Sequence, residues 1–401
     1  MTHTPLEDQV HDALHRTADP LQRAPFTVTD VRTRARRIQR RRNMVAGAAV
    51  AAVLAIAVPV GLTMGGPLQR SEAPPVTQPP APEVSTTVRI DPRSAEVVDT
   101  TTVPLIDVDG PSLITQDGAL DLPKAYDTIT PYRDGWVGVA VDEGVTTLEI
   151  LDAGLQVEDG PVPTGGLVVS PDGARLAWSE YDGTLWRVVM AEVAGGVEWT
   201  YLEFPPSPQD HEVAPVGFVS DVEVAVTQNH GQGTLSTFIA DGETPIALPG
   251  PIEARSASPA IGKVAGVIDS DVEGSCSAVV DGTAPTGTVA WQTCDHALTA
   301  FSPDGQHVVG LVPADGEYGS PTLAILDATT GEPVVDFEVA AAQSQVVGID
   351  DRMAWEDDDT LVVRVMSGGD YFIVRLGLDG TVQRVGMPSA GASGLSVAEV
   401  R

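Results

Sequence analysis

The sequence predicts an all-β domain of radially repeated small sheets, carried behind one apolar membrane span and a short helical segment. Three observations carry that prediction. A turn-and-strand unit recurs along the C-terminal three hundred residues. The composition is rich in turn formers and poor in aromatics, with 40 Gly, 32 Pro and 5% Phe, Trp and Tyr, which suits many short strands better than long helices. Finally, the run Met44 to Met64 has no charged residue.

The chain divides in order into four parts: 1–43, 44–66, 67–95 and 96–401. In the first, Thr4-Pro5-Leu6-Glu7 has the form of a capping box, with Pro at the first helical position. Leu6, Val10 and Leu14 then fall on one narrow apolar stripe. A helix that short is marginal alone and needs a surface, so these three residues are the candidate contact for a cytoplasmic regulator. Asp19-Pro20 ends it, and a second basic stretch contains Arg36, Arg37, Arg40, Arg41 and Arg42. Such a run also suits nucleic acid, but its place against an apolar span fits the positive-inside rule.

The span, residues 44–66, covers about 30 Å as a helix, the thickness of a bilayer core. About forty residues precede it, unlike a cleaved secretory signal. The N-terminus is therefore expected in the cytoplasm and the C-terminal bulk outside. Residues 67–95 include Ala73-Pro-Pro and Gln78-Pro-Pro-Ala-Pro and read as an extended linker.

Charge divides at the span. Residues 1–43 hold nine arginines against five acidic residues, a net of +4, whereas the remainder holds 14 basic against 51 acidic residues, a net of −37. So acidic a domain repels phosphates and anionic headgroups, which argues against nucleic acid as a partner.

Within 96–401 two segments match closely, Val168 to Trp178 and Thr299 to Val309, each holding Ser-Pro-Asp-Gly, from Ser170 and from Ser302. Weaker copies start near residues 131, 219, 258 and 355, so six starts fall close to 45 residues apart on average. A period in the forties filled with short strands and Asp-Gly or Thr-Gly turns is the pattern of a β-propeller with one four-stranded blade per repeat. About six blades are expected. Val97–Ile114 and Ser393–Val400 add strand-like sequence that either closes the ring in a shared blade or builds a seventh.

These residues resemble the Ser-Pro-Asp-Gly repeats of TolB-type and WD-repeat-like propellers, over roughly Thr130 to Met387. The resemblance implies a binding platform more readily than an enzyme, since fold does not fix function.

Cys276 and Cys294 are the only cysteines and are expected to be bonded to each other outside the cytoplasm. Residues 281–287 between them read as a hairpin turn. The four histidines beyond the span, His211, His230, His296 and His307, sit in different repeats and read as scattered surface residues. No nucleophile elbow, zinc-binding pair or phosphate loop occurs. Asp269 to Gly274 opens like a calcium loop, but Val280 stands where a bidentate Glu is required. Glu356-Asp-Asp-Asp reads as a solvated turn.

The functional expectation is thus a single-pass protein whose extracytoplasmic propeller binds a protein, peptide or glycan without catalysis, cofactor or metal. The alternatives are a transmembrane signalling or anti-sigma-like regulator working through the N-terminal helix, and a propeller hydrolase or lactonase.

Overall fold

The computed structural model describes residues 86–401 except 108–109, 143, 193–197, 206–210, 231–234, 241–245, 249–252, 272–273, 284–286, 313–318, 341–345, 387–393 and 399–401. The expected cytoplasmic helix with Leu6, Val10 and Leu14, the Arg36–Arg42 flank, the span and the first part of the linker lie outside the described residues. Among the described residues no helix is long and apolar enough to cross a membrane.

The chain enters with β1 (Thr86–Ile90), β2 (Glu96–Val98), β3 (Leu105–Asp107), β4 (Ser112–Thr115) and β5 (Gly118–Asp121). A continuous run follows: β6 (Thr128–Tyr132), β7 (Gly135–Asp142), β8 (Val145–Leu151), β9 (Val157–Val169), β10 (Arg175–Tyr181), β11 (Trp186–Glu192) and β12 (Glu198–Glu203). Next come β13 (Val213–Phe218), β14 (Val224–Asn229), β15 (Leu235–Ala240) and β16 (Ile246–Ala247), then β17 (Glu253–Ser258), β18 (Lys263–Asp271), β19 (Gly274–Asp281) and β20 (Val289–Thr293). The last two sets are β21 (Ala297–Phe301), β22 (His307–Leu311), β23 (Thr322–Asp327) and β24 (Pro333–Val339), and β25 (Val347–Trp355), β26 (Thr360–Ser367), β27 (Asp370–Gly377) and β28 (Val382–Val385). The short β29 (Leu395–Val397) ends the fold.

Apolar clusters tie each array to the next. Trp186, Met190 and Val188 meet Val213, Phe218 and Val224; Val216 and Ile239 meet Val264 and Val280; Ala265 and Val279 meet Leu298 and Val308. Ile325 and Phe337 then meet Ile349, Leu361 and Val363, and Val362 and Ile373 meet Leu105, Leu395 and Val397. Ile106 and Leu113 finally meet Ile129 and Leu151, which returns the packing to its start. The domain is a β-propeller.

Closure uses both chain ends. β29 pairs antiparallel with β3, giving the sheet order β29-β3-β4-β5, so the C-terminus supplies the innermost strand of a sheet begun near the N-terminus. The extra sequence at the two ends therefore shares one sheet. Before that, β1 runs parallel to β24 and β2 parallel to β28, covering the outer edges of two sheets. β1 lies inside the stretch whose composition reads as linker, because an edge strand needs no strong hydrophobic alternation to be recruited.

The ladders correct the expected count of six or seven like blades. Five sheets stand as single blades of four or five strands, and the sixth is one continuous seven-stranded sheet. The cause is β9, whose 13 residues pair with β8 through the first half and with β10 through the second. Even so, Val169, Leu176 and Trp178 still pack on Tyr132, Val137 and Leu148, so its two halves face each other as separate blades do.

The repeated turns have a local cause. Ser170 Oγ donates to Asp172 Oδ1 at 2.5 Å and accepts the Arg175 N–H at 2.9 Å. Ser302 Oγ donates likewise to Asp304 at 2.6 Å and accepts the His307 N–H at 3.0 Å. Gly173 and Gly305 hold φ of +67° and +74°, which a side chain resists. The Ser and Asp are thus occupied in shaping the hairpin from the innermost strand to the second one. All six predicted starts mark that hairpin, and the sheet closed by β29 has none because its inner strand comes from the other chain end.

Cys276 in β19 and Cys294, just past β20, form a disulfide with their Cα atoms 4.0 Å apart, nearer than a hairpin of unspecified register suggests. Ser277 pairs with Thr293, so the cysteines are the next opposed pair. Replacing both by Ser is expected to lower unfolding free energy by about 3 kcal/mol in the chain-entropy account, read by denaturant unfolding of oxidised wild type against the double variant.

Candidate functional site

The innermost strands converge on the axis, and five of them break their ladder there. Gly165-Gly166 in β9 oppose the single Ser179. Val216 is extra in β13 and Arg255 in β17, while Thr299-Ala300 in β21 oppose Val309 alone. In β25 three residues, Asp350, Asp351 and Arg352, oppose Arg364 alone. A bulge turns backbone and side chain out of the pleat, so these residues form a belt around the axis.

The belt borders an axial cavity of about 380 Å³. Its walls come from the β9–β10 turn (Val169, Pro171), β17 (Arg255 to Ser258), β21 (Thr299 to Phe301) and β25 (Asp351, Met353 to Trp355). Apolar side chains predominate, with Phe301 and Met353 mostly buried. Arg255 is held by Glu253 at 2.5 Å. Arg352 leaves its strand to bind the Asp127 carbonyl at 3.0 Å and carboxylate at 2.8 Å, tying β25 to the residue before β6.

A second cavity, also about 380 Å³, lies between the β21–β24 and β25–β28 sheets and shares Asp351 with the first. Burial pushes the Asp350 carboxyl up, and its hydrogen bond with Asp351 adds to the rise, against the Arg352 N–H and Arg364. Arg364 Nη1 stands 3.7 Å from Asp350 Oδ2, its guanidinium 4.1 Å from the Tyr371 ring centre.

Glu356 corrects the reading of its segment as a solvated turn. Its side chain is 5% exposed and accepts from Arg375 Nε at 2.5 Å, from the Thr102 N–H at 2.6 Å and from the Thr101 hydroxyl at 2.8 Å. Burial pushes its pKa up, but these donors outweigh burial and hold it below 4.5. It clasps the segment after β2 onto the β25–β28 sheet.

The histidines are also corrected. His211 and His230 share one hairpin, rings 6.4 Å apart, and His230 Nε2 lies 2.6 Å from Ser236 Oγ. His296 is half-buried, and burial pushes its pKa down despite Asp295 and Asp336. Asp269–Asp271 end β18 and Gly274 opens β19; among the described residues no three His, Cys, Asp or Glu are grouped to hold a metal.

The sequence reading therefore singled out the turns, the cysteines and the histidines, and missed Arg255, Thr299, Asp350, Asp351, Arg364 and Tyr371. One signal was available. Asp350-Asp351-Arg352 interrupts Val346-Val347-Gly348-Ile349 and Met353-Ala354-Trp355, and three polar residues in a row inside an apolar strand mark a bulge.

No known protein family matches the chain, and no curated protein does. Among solved structures it is similar to TolB from Acinetobacter baumannii, at 15% identity and a TM-score of 0.39 over 63% of this chain and 64% of that one. A functionally unknown protein from Desulfotomaculum acetoxidans is similar at 13% identity and TM-score 0.48, over 75% of this chain and 100% of that one. The β-propeller domain of the trilobed protease from Pyrococcus furiosus is similar at 10% identity and TM-score 0.44, over 66% and 86%. The likeness is one of fold.

Glu356 gives a pH test. A depressed folded-state pKa contributes stability that is present above the unfolded value and lost as pH falls through the folded one. Glu356→Gln is expected to cost about 2 kcal/mol at pH 7, since a buried charge-assisted bond is lost. The gap to wild type should close below pH 4.5, as read by thermal unfolding across pH.

Proposed function

We propose that this chain is a single-pass membrane protein that holds its propeller outside the cytoplasm and uses it as a non-catalytic binding module. The observation that carries the reading is the axial cavity, walled by inner strands from separate sheets and bordered by bulged residues that differ from strand to strand. Clefts of this size with an apolar wall and a few polar groups are where proteins hold ligands. Two charged belt residues, Arg255 and Arg352, are engaged in ion pairs, which suits holding a shape better than moving a proton. The extracytoplasmic placement is supported by the apolar run 44–66 behind basic sequence and by a disulfide, a bond that persists in oxidising compartments.

The test uses intact cells. Added protease should cleave the propeller while the N-terminal segment survives, and a photo-crosslinking residue at Thr299 should give specific adducts that are absent when it stands at Thr381. Protection of the propeller from protease overturns the placement, and equal adducts at both positions overturn the axial site.

A second reading, signalling across the membrane, is favoured by one observation. β1 and β2 pair with the two sheets that bound the second cavity; in sequence β1 lies within the linker-like stretch and β2 directly after it. On this reading deletion of residues 1–20, which removes Leu6, Val10 and Leu14, should change transcription without changing the Thr299 adducts. Unchanged transcript levels in the deletion strain remove it.

A further inference from the structure

The cavity between the β21–β24 and β25–β28 sheets has chemistry of its own. Its lining joins Leu311 and Met366 to the polar Asp350, Asp351, Arg364 and Tyr371. Behind it, Ser320 and Ile349 exchange backbone hydrogen bonds at 3.1 and 2.7 Å, joining the two sheets and fixing the cavity's back. The bulge places two carboxyls where one residue would otherwise face the ladder.

The polar wall restricts what fits. Arg364 Nε is sealed from solvent and has no hydrogen-bond partner, and Nη1 faces Asp350 at 3.7 Å. The guanidinium lies over the Tyr371 ring, and at 3.7 Å Nη1 forms no hydrogen bond with Asp350, so the group keeps N–H donors for a ligand. Hydroxyl oxygens can accept from it. The carboxyl pair beside it accepts from O–H donors. A bare cation is disfavoured by the nearby guanidinium, and a bare anion by the carboxyls. A ligand that is uncharged, with hydroxyls that both accept and donate at short spacing, and with one apolar face, answers all of these demands.

We propose that this cavity binds a saccharide ring, its C–H face toward Leu311 and Met366 and its hydroxyls between Asp351, Asp350 and Arg364. The proposal rests on the reading of the propeller as a binding module and names the ligand class for one of its two cavities.

Isothermal titration of the full chain, in a detergent without a sugar headgroup, tests it with D-glucose, D-galactose, D-mannose, L-arabinose and N-acetyl-D-glucosamine. At least one should bind with Kd below about 1 mM. Asp351→Asn and Arg364→Lys should each weaken that binding tenfold or more, while Lys263→Ala leaves it unchanged. Asp351→Asn is nearly isosteric, and unaltered thermal unfolding confirms that its loss is local. Failure of all five sugars overturns the proposal, as does equal affinity in Asp351→Asn, or binding of glycine or lysine in place of the sugars. If the Thr299 adducts persist while no sugar binds, the saccharide assignment falls and the axial binding reading stands; if both fail, both fall.

Discussion

The structure depends on one constraint: each array must bury both of its faces against neighbours, and the row of arrays must therefore close. Burying apolar surface contributes about 25 cal/mol per Å², and an open row leaves two faces in water. That is why Leu361, Val363 and Leu376 pack on the preceding sheet while Val362 and Ile373, from the same strands, pack on the next. Strands buried on both faces read as continuous apolar runs, as Leu361-Val-Val and Val224-Ala-Val do. The last gap is filled by Leu395 and Val397 of a three-residue strand, 2% and 0% exposed. Small as it is, β29 makes the ring continuous.

Closure at the rim crowds the axis, and the bulges answer that crowding. Where inner strands approach, a regular ladder has to place a side chain into the neighbouring strand, so Gly165 sits against the Val213 carbonyl and Gly217 against Ala257. An inserted residue turns the strand away, and at Arg255 and Arg352 the side chain reaches an ion pair instead of a sheet face. Packing dictates part of the belt, with Gly165 against the Val213 carbonyl and Val216 buried in the core, and leaves Arg255, Thr299 and Asp351 to line the cavity. Within this chain the turn chemistry of Ser170 and Ser302 is kept nearly atom for atom, while the bulges hold glycines, a valine, an arginine, Thr-Ala and Asp-Asp-Arg. Variation against a constant frame is how a repeated scaffold acquires a particular site.

The same reasoning explains what the sequence made legible. Hairpins from first to second strand were readable because Pro, Asp and Gly occupy fixed offsets with a local cause, hence the agreement of the Ser170 and Ser302 starts with the β9–β10 and β21–β22 hairpins. The disulfide was readable from two cysteines that flank an intervening turn. The fused seven-stranded sheet was not, since Gly160-Pro-Val-Pro-Thr-Gly-Gly reads as a break between strands, yet β9 runs through it unbroken. β1 escaped because an edge strand borrows its conformation from its partner, whereas β2 falls at the start of the strand-like stretch Val97–Ile114. Glu356 looked solvated among three aspartates, yet it is the one carboxylate there facing Arg375, a partner set by the β26–β27 pairing. The belt, too, escaped: bulges are defined by a register between strands, which no single strand displays.

The strap of β1 and β2 bears on the polar cavity in a way neither shows alone. Arg93, between the two strands, donates to the Ser367 carbonyl at 3.0 Å and to Asp370 at 2.6 Å, gripping the turn between the strands that carry Arg364 and Tyr371. β1 holds the outer edge of one bounding sheet and β2 that of the other, so a change in their separation strains a single short stretch of chain. Ser320 and Ile349 link the same two sheets from the inner side. A cavity fastened at both ends keeps its shape when empty, and a preorganised site loses less entropy when it is filled. Rigidity of this sort suits selection among closely similar ligands, because a wall that does not yield leaves an ill-fitting ligand's polar groups unpaired.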